Sequence, residues 1–149
     1  MLDLDLTFAI LHHVAVFTLV GIIAAEFALL RPGLAGSRLS QLANIDRLYG
    51  IAASVVVVIG ILRVFFGGKG WAFYVASDMF WGKMLAFVIV GLLSIQPTIA
   101  LGRWAKALQS DPAFVPPATE MAKSRRFINA EVIILVLIPI FAAAMARGY

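Results

Sequence analysis

Two adjacent histidines, His12 and His13, lie within an apolar stretch of this 149-residue sequence that covers residues 6–30. A hydrocarbon layer about 30 Å thick is crossed by a helix of about 20 apolar residues, so this stretch is long enough to span a bilayer. Ionisable side chains inside such a span are costly and are usually functional, and imidazole is the commonest metal ligand among side chains. The histidine pair therefore indicates a candidate site for a metal or haem.

Helical geometry predicts that the two histidines point in different directions. Neighbouring residues on a helix are about 100° apart, so one helix cannot place both rings on opposite faces of a single iron. His12 lies on the same helical stripe as Glu26. Because a carboxylate avoids lipid, that stripe is expected to face inward, which favours His12 as the buried metal ligand. His13 is the alternative ligand.

Two cations, Arg63 and Lys83, are expected at a similar depth. Counted along each helix, His12 lies about 9 Å from the membrane edge, Lys83 about 6 Å and Arg63 about 5 Å, all on one side. No carboxylate within a span balances them at that depth. A haem would suit the set, with an imidazole on the iron and the cations beside its propionates. In the structural alternative, the cations extend to the headgroups and the imidazoles form only hydrogen bonds.

A second polar cluster is predicted at the opposite, inner face of the membrane. Carboxylates and guanidinium groups are matched there in number, so we expect bidentate ion pairs between them. The functional alternative is a proton path through the two glutamates. The members of this cluster are Glu26, Arg47, Arg126, Asn129 and Glu131.

The composition and the apolar segments of the sequence predict the membrane-spanning helices that carry these residues. The sequence is 62% hydrophobic and 13% charged, and a soluble domain would carry roughly twice that charged fraction. We therefore predict one integral membrane domain over residues 1–149, folded as an all-α antiparallel four-helix bundle. The second helix is expected to begin early, near Ser37 or Ser40, and the last helix at Pro116-Pro117. Pro97 and Pro139 are expected to kink the third and fourth spans. The spans are predicted at residues 6–30, 50–66, 79–101 and 127–145.

Charge and cysteine content limit the partners and the location. Eight of the 12 Lys and Arg residues fall in or beside the first and third loops. The positive-inside rule then places those loops in the cytoplasm and both termini outside, in a bacterial inner membrane. The basic loops are read as determinants of topology and not as a site for nucleic acid. The absence of cysteine excludes disulfides and thiolate metal sites.

Four sequence features together carry a resemblance that covers nearly the whole chain. They are the histidine pair, DRLYG at residues 46–50, FWGK at 80–83 and RFINAE at 126–131. With this combination the chain resembles an uncharacterised bacterial family of four-helix membrane proteins that carries only a domain-of-unknown-function label. The resemblance implies the membrane fold and brings no activity with it.

The layout is also distantly similar to the short membrane protoporphyrinogen oxidases, which bind haem b, and to a membrane copper-resistance family. The chain departs from the oxidase pattern at residues 18–21 (TLVG) and in the alanine between Asn129 and Glu131. These departures count against the oxidase reaction more than against haem binding. The resemblance implies His12 or His13 as haem ligand, Lys83 as a second site residue, and a polar cluster of Arg126, Asn129 and Glu131.

We therefore predict an integral membrane protein that binds haem b and has a redox or electron-transfer role, and the sequence leaves open whether it is an enzyme. The alternative is a non-enzymatic accessory or assembly subunit of a larger membrane complex, or a homo-oligomer, whose polar residues only fix helix register. In either case the lipid bilayer is the expected partner. Ion or copper transport is less well supported, because the histidines and methionines outline no path across the membrane.

Overall fold

A computed structural model describes residues 3–149 of the chain, and these residues form helices without any β-strand. Four of the elements are long, and two are short. The helices are α1 (Leu4–Leu29), α2 (Gly36–Phe66), α3 (Gly70–Val75), α4 (Asp78–Ser110), α5 (Ala118–Leu135) and α6 (Leu137–Ala146).

Four helical segments are long and apolar enough to cross a membrane: α1, α2, α4 and the combined α5–α6 segment Ala118–Ala146. Large apolar side chains such as Phe17 and Ile133 are exposed on their outward faces. Apolar surface of this extent fits contact with lipid. The predicted all-α membrane bundle is therefore confirmed, and α2 and α5 begin at the early positions that the sequence indicates.

The four segments pack as a ring of antiparallel neighbours. Helix α1 packs against α2 and α5, while α4 packs against α2, α5 and α6. The loops at residues 30–35 and 111–117 meet at one end of the bundle, which we call the basic end. Residue 3, residues 67–77 and residues 147–149 lie at the other, which we call the terminal end.

Local sequence sets where helices start and break. The Asp3 carboxylate caps α1 by accepting a hydrogen bond of 3.0 Å from the Asp5 amide. Pro139 has no amide hydrogen to bond the carbonyl four residues earlier, and the last span is interrupted at Val136 between α5 and α6. Helix α4, in contrast, is continuous through Pro97.

Helix α3 is an element that the sequence does not predict. It is a single short helix at the terminal end and brings aromatic residues together there. The Trp71 ring stacks on Phe65 with centroids 5.4 Å apart, and Tyr74 packs against Phe80 at 5.6 Å. Trp71 and Trp81 are exposed, as expected of residues at a membrane interface.

The larger buried core lies toward the basic end. It joins residues of α1, α2, α4 and α5 with the loop after α1, and Trp104 is its largest fully buried side chain. A second, smaller core lies in the middle of the bundle and contains Leu19, Ile23, Tyr49 and Val56. The bundle thus has its larger buried core at the end where the loops at residues 30–35 and 111–117 lie.

We expect Trp104→Ala to lower the free energy of unfolding in detergent by about 3 kcal/mol or more, because truncating a buried tryptophan leaves a cavity. Trp104 is 1% exposed, whereas Trp71 is 49% exposed. Trp71→Ala is therefore the matched control, with an expected loss of less than about 1 kcal/mol. Thermal unfolding followed by circular dichroism measures both, and equal losses would contradict this view of the core.

Candidate functional site

His12 is turned into the bundle at the terminal end. Its imidazole lies against α2 at Gly60, where an added Cβ would come within 3.4 Å of His12 Cε1. The ring is half-buried, and its Nδ1 atom is buried without a hydrogen-bond partner among residues 3–149. The helical stripe that His12 shares with buried Leu19, Ile23 and Glu26 accounts for this orientation.

His13 is exposed and faces away from the bundle. Its Nδ1 lies 2.6 Å from the Ala9 carbonyl of its own helix, so a proton on Nδ1 is donated to that oxygen. The two histidine rings stand edge to face with centroids 6.4 Å apart. The structure therefore separates the pair, and only His12 faces other helices.

Arg63 and Lys83 come together with His12 from two further helices. Both cations are half-buried and lie near enough for their charges to act on the His12 ring. The Nε atom of Arg63 is buried without a partner within residues 3–149. The Lys83 ammonium lies 5.4 Å from the centroid of the Phe80 ring. We call His12, Arg63 and Lys83 the terminal-end layer.

Asp5 lies at the same end but does not neutralise this layer. Its carboxylate accepts a hydrogen bond of 3.1 Å from the Gly68 amide, and it forms no ion pair within the described part of the chain. A Cβ on Gly67 would lie 2.9 Å from the Asp5 carboxylate, so glycine allows this approach. Adjacent glycines after an apolar span are the signal in the sequence that could have located the contact.

A second layer lies toward the basic end and is acidic. Three carboxyl groups from three helices are almost fully buried: Glu26 is 3% exposed, Asp46 7% and Glu131 1%. The Thr98 hydroxyl donates a hydrogen bond of 2.7 Å to Asp46. The Tyr49 hydroxyl lies beside Glu131. We call Glu26, Asp46 and Glu131 the acidic layer.

The ion pairs expected between carboxylates and guanidinium groups in this region do not form in residues 3–149. Arg47, Arg126 and Asn129 are exposed. Glu131 is five residues from Arg126 and two from Asn129, spacings that place it well away from both on the helix circumference. Exposed guanidinium groups also keep their hydration, which a buried pair would lose. The structure thus brings Glu26 and Glu131 together and leaves the other three predicted members outside.

Cations near the basic end have other partners. Arg125 donates a hydrogen bond of 2.9 Å to the Leu30 carbonyl, which is one of the carbonyls left free at the end of α1. Glu120 accepts hydrogen bonds from Arg103 at 2.6 Å and from the Trp104 indole at 3.0 Å. The Arg103–Glu120 contact is the single ion pair of residues 3–149. These contacts join α4 to α5 and α5 to the end of α1, and they are not predicted from the sequence.

Apolar side chains separate the two polar layers. His12 and Glu26 are 14 residues apart on α1, which is about 21 Å along the axis. The buried side chains of Leu19, Ile23 and Val56 lie between them. The two layers are therefore separate sites.

Surface clefts do not coincide with either layer. One, of about 410 Å³, is lined on α4 and α5 by residues that include Gln96 and Lys123. Another, of about 330 Å³, lies between α2 and α4 beside Arg47. Within residues 3–149, no group of three or more His, Cys, Asp or Glu side chains is placed to hold a metal ion.

Comparison with known proteins places the chain in a family. A search of the curated proteins found no match, and a search of the solved structures found none. A family model matches residues 4–149, nearly the whole chain, and its description is "Predicted membrane protein (DUF2214)". This chain therefore belongs to the DUF2214 family of membrane proteins, a domain of unknown function.

Proposed function

We propose that this membrane protein binds haem b at the terminal-end layer and has a redox or electron-transfer role. The observation that supports the proposal is the unpartnered Nδ1 of His12 beside two half-buried cations. A buried polar atom without a partner costs about 1–3 kcal/mol. A ligand that supplies both a metal and negative charge would remove that cost and balance the cations.

The donor types in the terminal-end layer fit haem b. An imidazole is a common axial ligand of haem iron, and guanidinium and ammonium groups suit carboxylates such as propionates. Bound haem would supply the electron transfer, while the protein would set the potential through ligation and burial. Neither of the two clefts described above borders His12.

The proposal includes location in a bacterial inner membrane with both termini outside the cytoplasm. Eight Lys and Arg residues lie at the basic end, and four lie at the terminal end. Cytoplasmic loops carry the excess of positive residues in membrane proteins. The terminal-end layer would then lie near the outer surface, where an external electron donor or acceptor can approach.

Protein purified in detergent after expression with ample haem is expected to show a Soret absorbance band. His12→Ala should abolish the band because it removes the proposed axial ligand. His13→Ala is the matched control and should keep it, since His13 is exposed and bonded to Ala9.

A colourless wild-type protein would refute haem binding, as would a band that survives His12→Ala. In that outcome the terminal-end layer would only fix helix register, as in an accessory or assembly subunit. Purification of the colourless protein together with a larger membrane complex would support that alternative.

We expect Lys83→Met and Arg63→Met each to weaken haem binding roughly tenfold or more, because a hydrogen bond to a charged group contributes about 1.5–3 kcal/mol. Lys69→Met is the control, since the Lys69 ammonium is exposed and lies 4.3 Å from the Phe73 ring centroid. Haem titration followed by absorbance measures the three affinities. Equal haem affinities in all three variants would show that Arg63 and Lys83 do not contribute to haem binding.

Alkaline phosphatase is active only outside the cytoplasm, and fusions to it can test the proposed orientation. A fusion after Tyr149 should be active, and one after Gly33 should be inactive, because the two positions lie at opposite ends of the bundle. The reverse pattern would place the terminal-end layer on the cytoplasmic side.

A further inference from the structure

We infer that the acidic layer is a proton-binding site, in which Glu26, Asp46 and Glu131 hold protons between helices instead of pairing with cations. The inference does not depend on haem binding, because the acidic layer lies at a different depth and shares no residue with the terminal-end layer.

The first observation that supports this inference is that buried carboxyl oxygens lack hydrogen-bond partners. Glu131 is almost fully buried, and both of its carboxyl oxygens lack a hydrogen-bond partner within residues 3–149. Oε1 of Glu26 is in the same situation. An ionised carboxylate in such surroundings loses its hydration without compensation. A proton is the smallest ligand that removes the charge, and it also turns one oxygen into a donor.

The second observation is that every group facing the acidic layer is acidic or neutral. Helix α2 contributes the Tyr49 hydroxyl beside Glu131, and α4 contributes Ser94 and Thr98. The Arg125 side chain on α5 turns to the Leu30 carbonyl. Arg47 and Arg126 are exposed. Ionisation of all three carboxyls would therefore place like charges together with no cation beside them.

A proton fits this layer better than a metal ion does. No set of three or more His, Cys, Asp or Glu side chains in the described residues is spaced to ligate a metal. Close carboxyl groups that cannot all ionise retain protons between them. The Thr98 hydroxyl already donates to Asp46, and the Tyr49 hydroxyl lies beside Glu131, so both are placed to stabilise a partly ionised set.

The site binds protons without forming a continuous path across the membrane. Leu19, Ile23 and Val56 separate it from His12. Binding converts a carboxylate and a proton into a neutral carboxylic acid, and release restores the negative charge. Because Glu26, Asp46 and Glu131 belong to α1, α2 and α5 respectively, release of protons sets like charges on three packed helices. We therefore expect release of the protons to weaken the packing of these helices.

Infrared spectroscopy of the purified wild-type protein tests the inference directly. At neutral pH we expect a carbonyl stretch of buried, protonated carboxylic acid, with the shift to lower frequency that exchange into D₂O produces. Glu26→Gln and Glu131→Gln should each reduce this band. Glu120→Gln is the control and should leave it unchanged, because Glu120 lies outside the acidic layer and contacts Arg103. Absence of the band from the wild-type protein would overturn the inference, whether or not the variants fold.

Thermal unfolding across a pH series supplies the second readout. A native state that binds more protons than the unfolded state loses stability as the pH rises. We therefore expect the Tm of the wild-type protein and of Glu120→Gln to fall above neutral pH. The Glu26→Gln, Glu131→Gln double variant should show a smaller fall, since glutamine imitates the protonated acid. Equal falls in the wild type and the double variant would overturn the inference.

Discussion

Within a bilayer, polar groups have no water to bond, and the whole arrangement of this protein follows from that constraint. Some hydroxyl groups in the spans donate to carbonyls of their own helix, as Thr18 does to Val14 and Ser54 to Gly50. The ionisable side chains that lie between helices are gathered into two layers, separated by apolar packing. The bundle therefore has an alternating order of polar and apolar levels along its axis.

The two layers have opposite chemical character, although both are buried between helices. The terminal-end layer carries an imidazole and two cations, and the acidic layer carries carboxyl groups and hydroxyl groups. Attraction between them is weak because about 21 Å of helix separates His12 from Glu26. Neither layer therefore neutralises the charge of the other.

The fold follows from the sequence because the length of an apolar run and the need to satisfy backbone groups leave few options. The helical period also indicates correctly that His12 faces inward with Glu26. Side-chain direction across helices is harder to predict. Counting charges favours ion pairs at the inner face, yet Arg47 and Arg126 point outward. The contact of Asp5 with Gly68 depends on the conformation of a loop, which has no periodic pattern.

The interruption at Val136 divides the last span into α5 and α6. Helix α5 carries Glu131, whereas α6 rests on the start of α4, where a Cβ on Gly82 would lie 3.1 Å from the Phe141 ring. Gly82 is next to Lys83, so α6 supports the terminal-end layer while α5 supports the acidic one. The interruption at Val136 therefore separates the helix that carries Glu131 from the helix that packs beside Lys83.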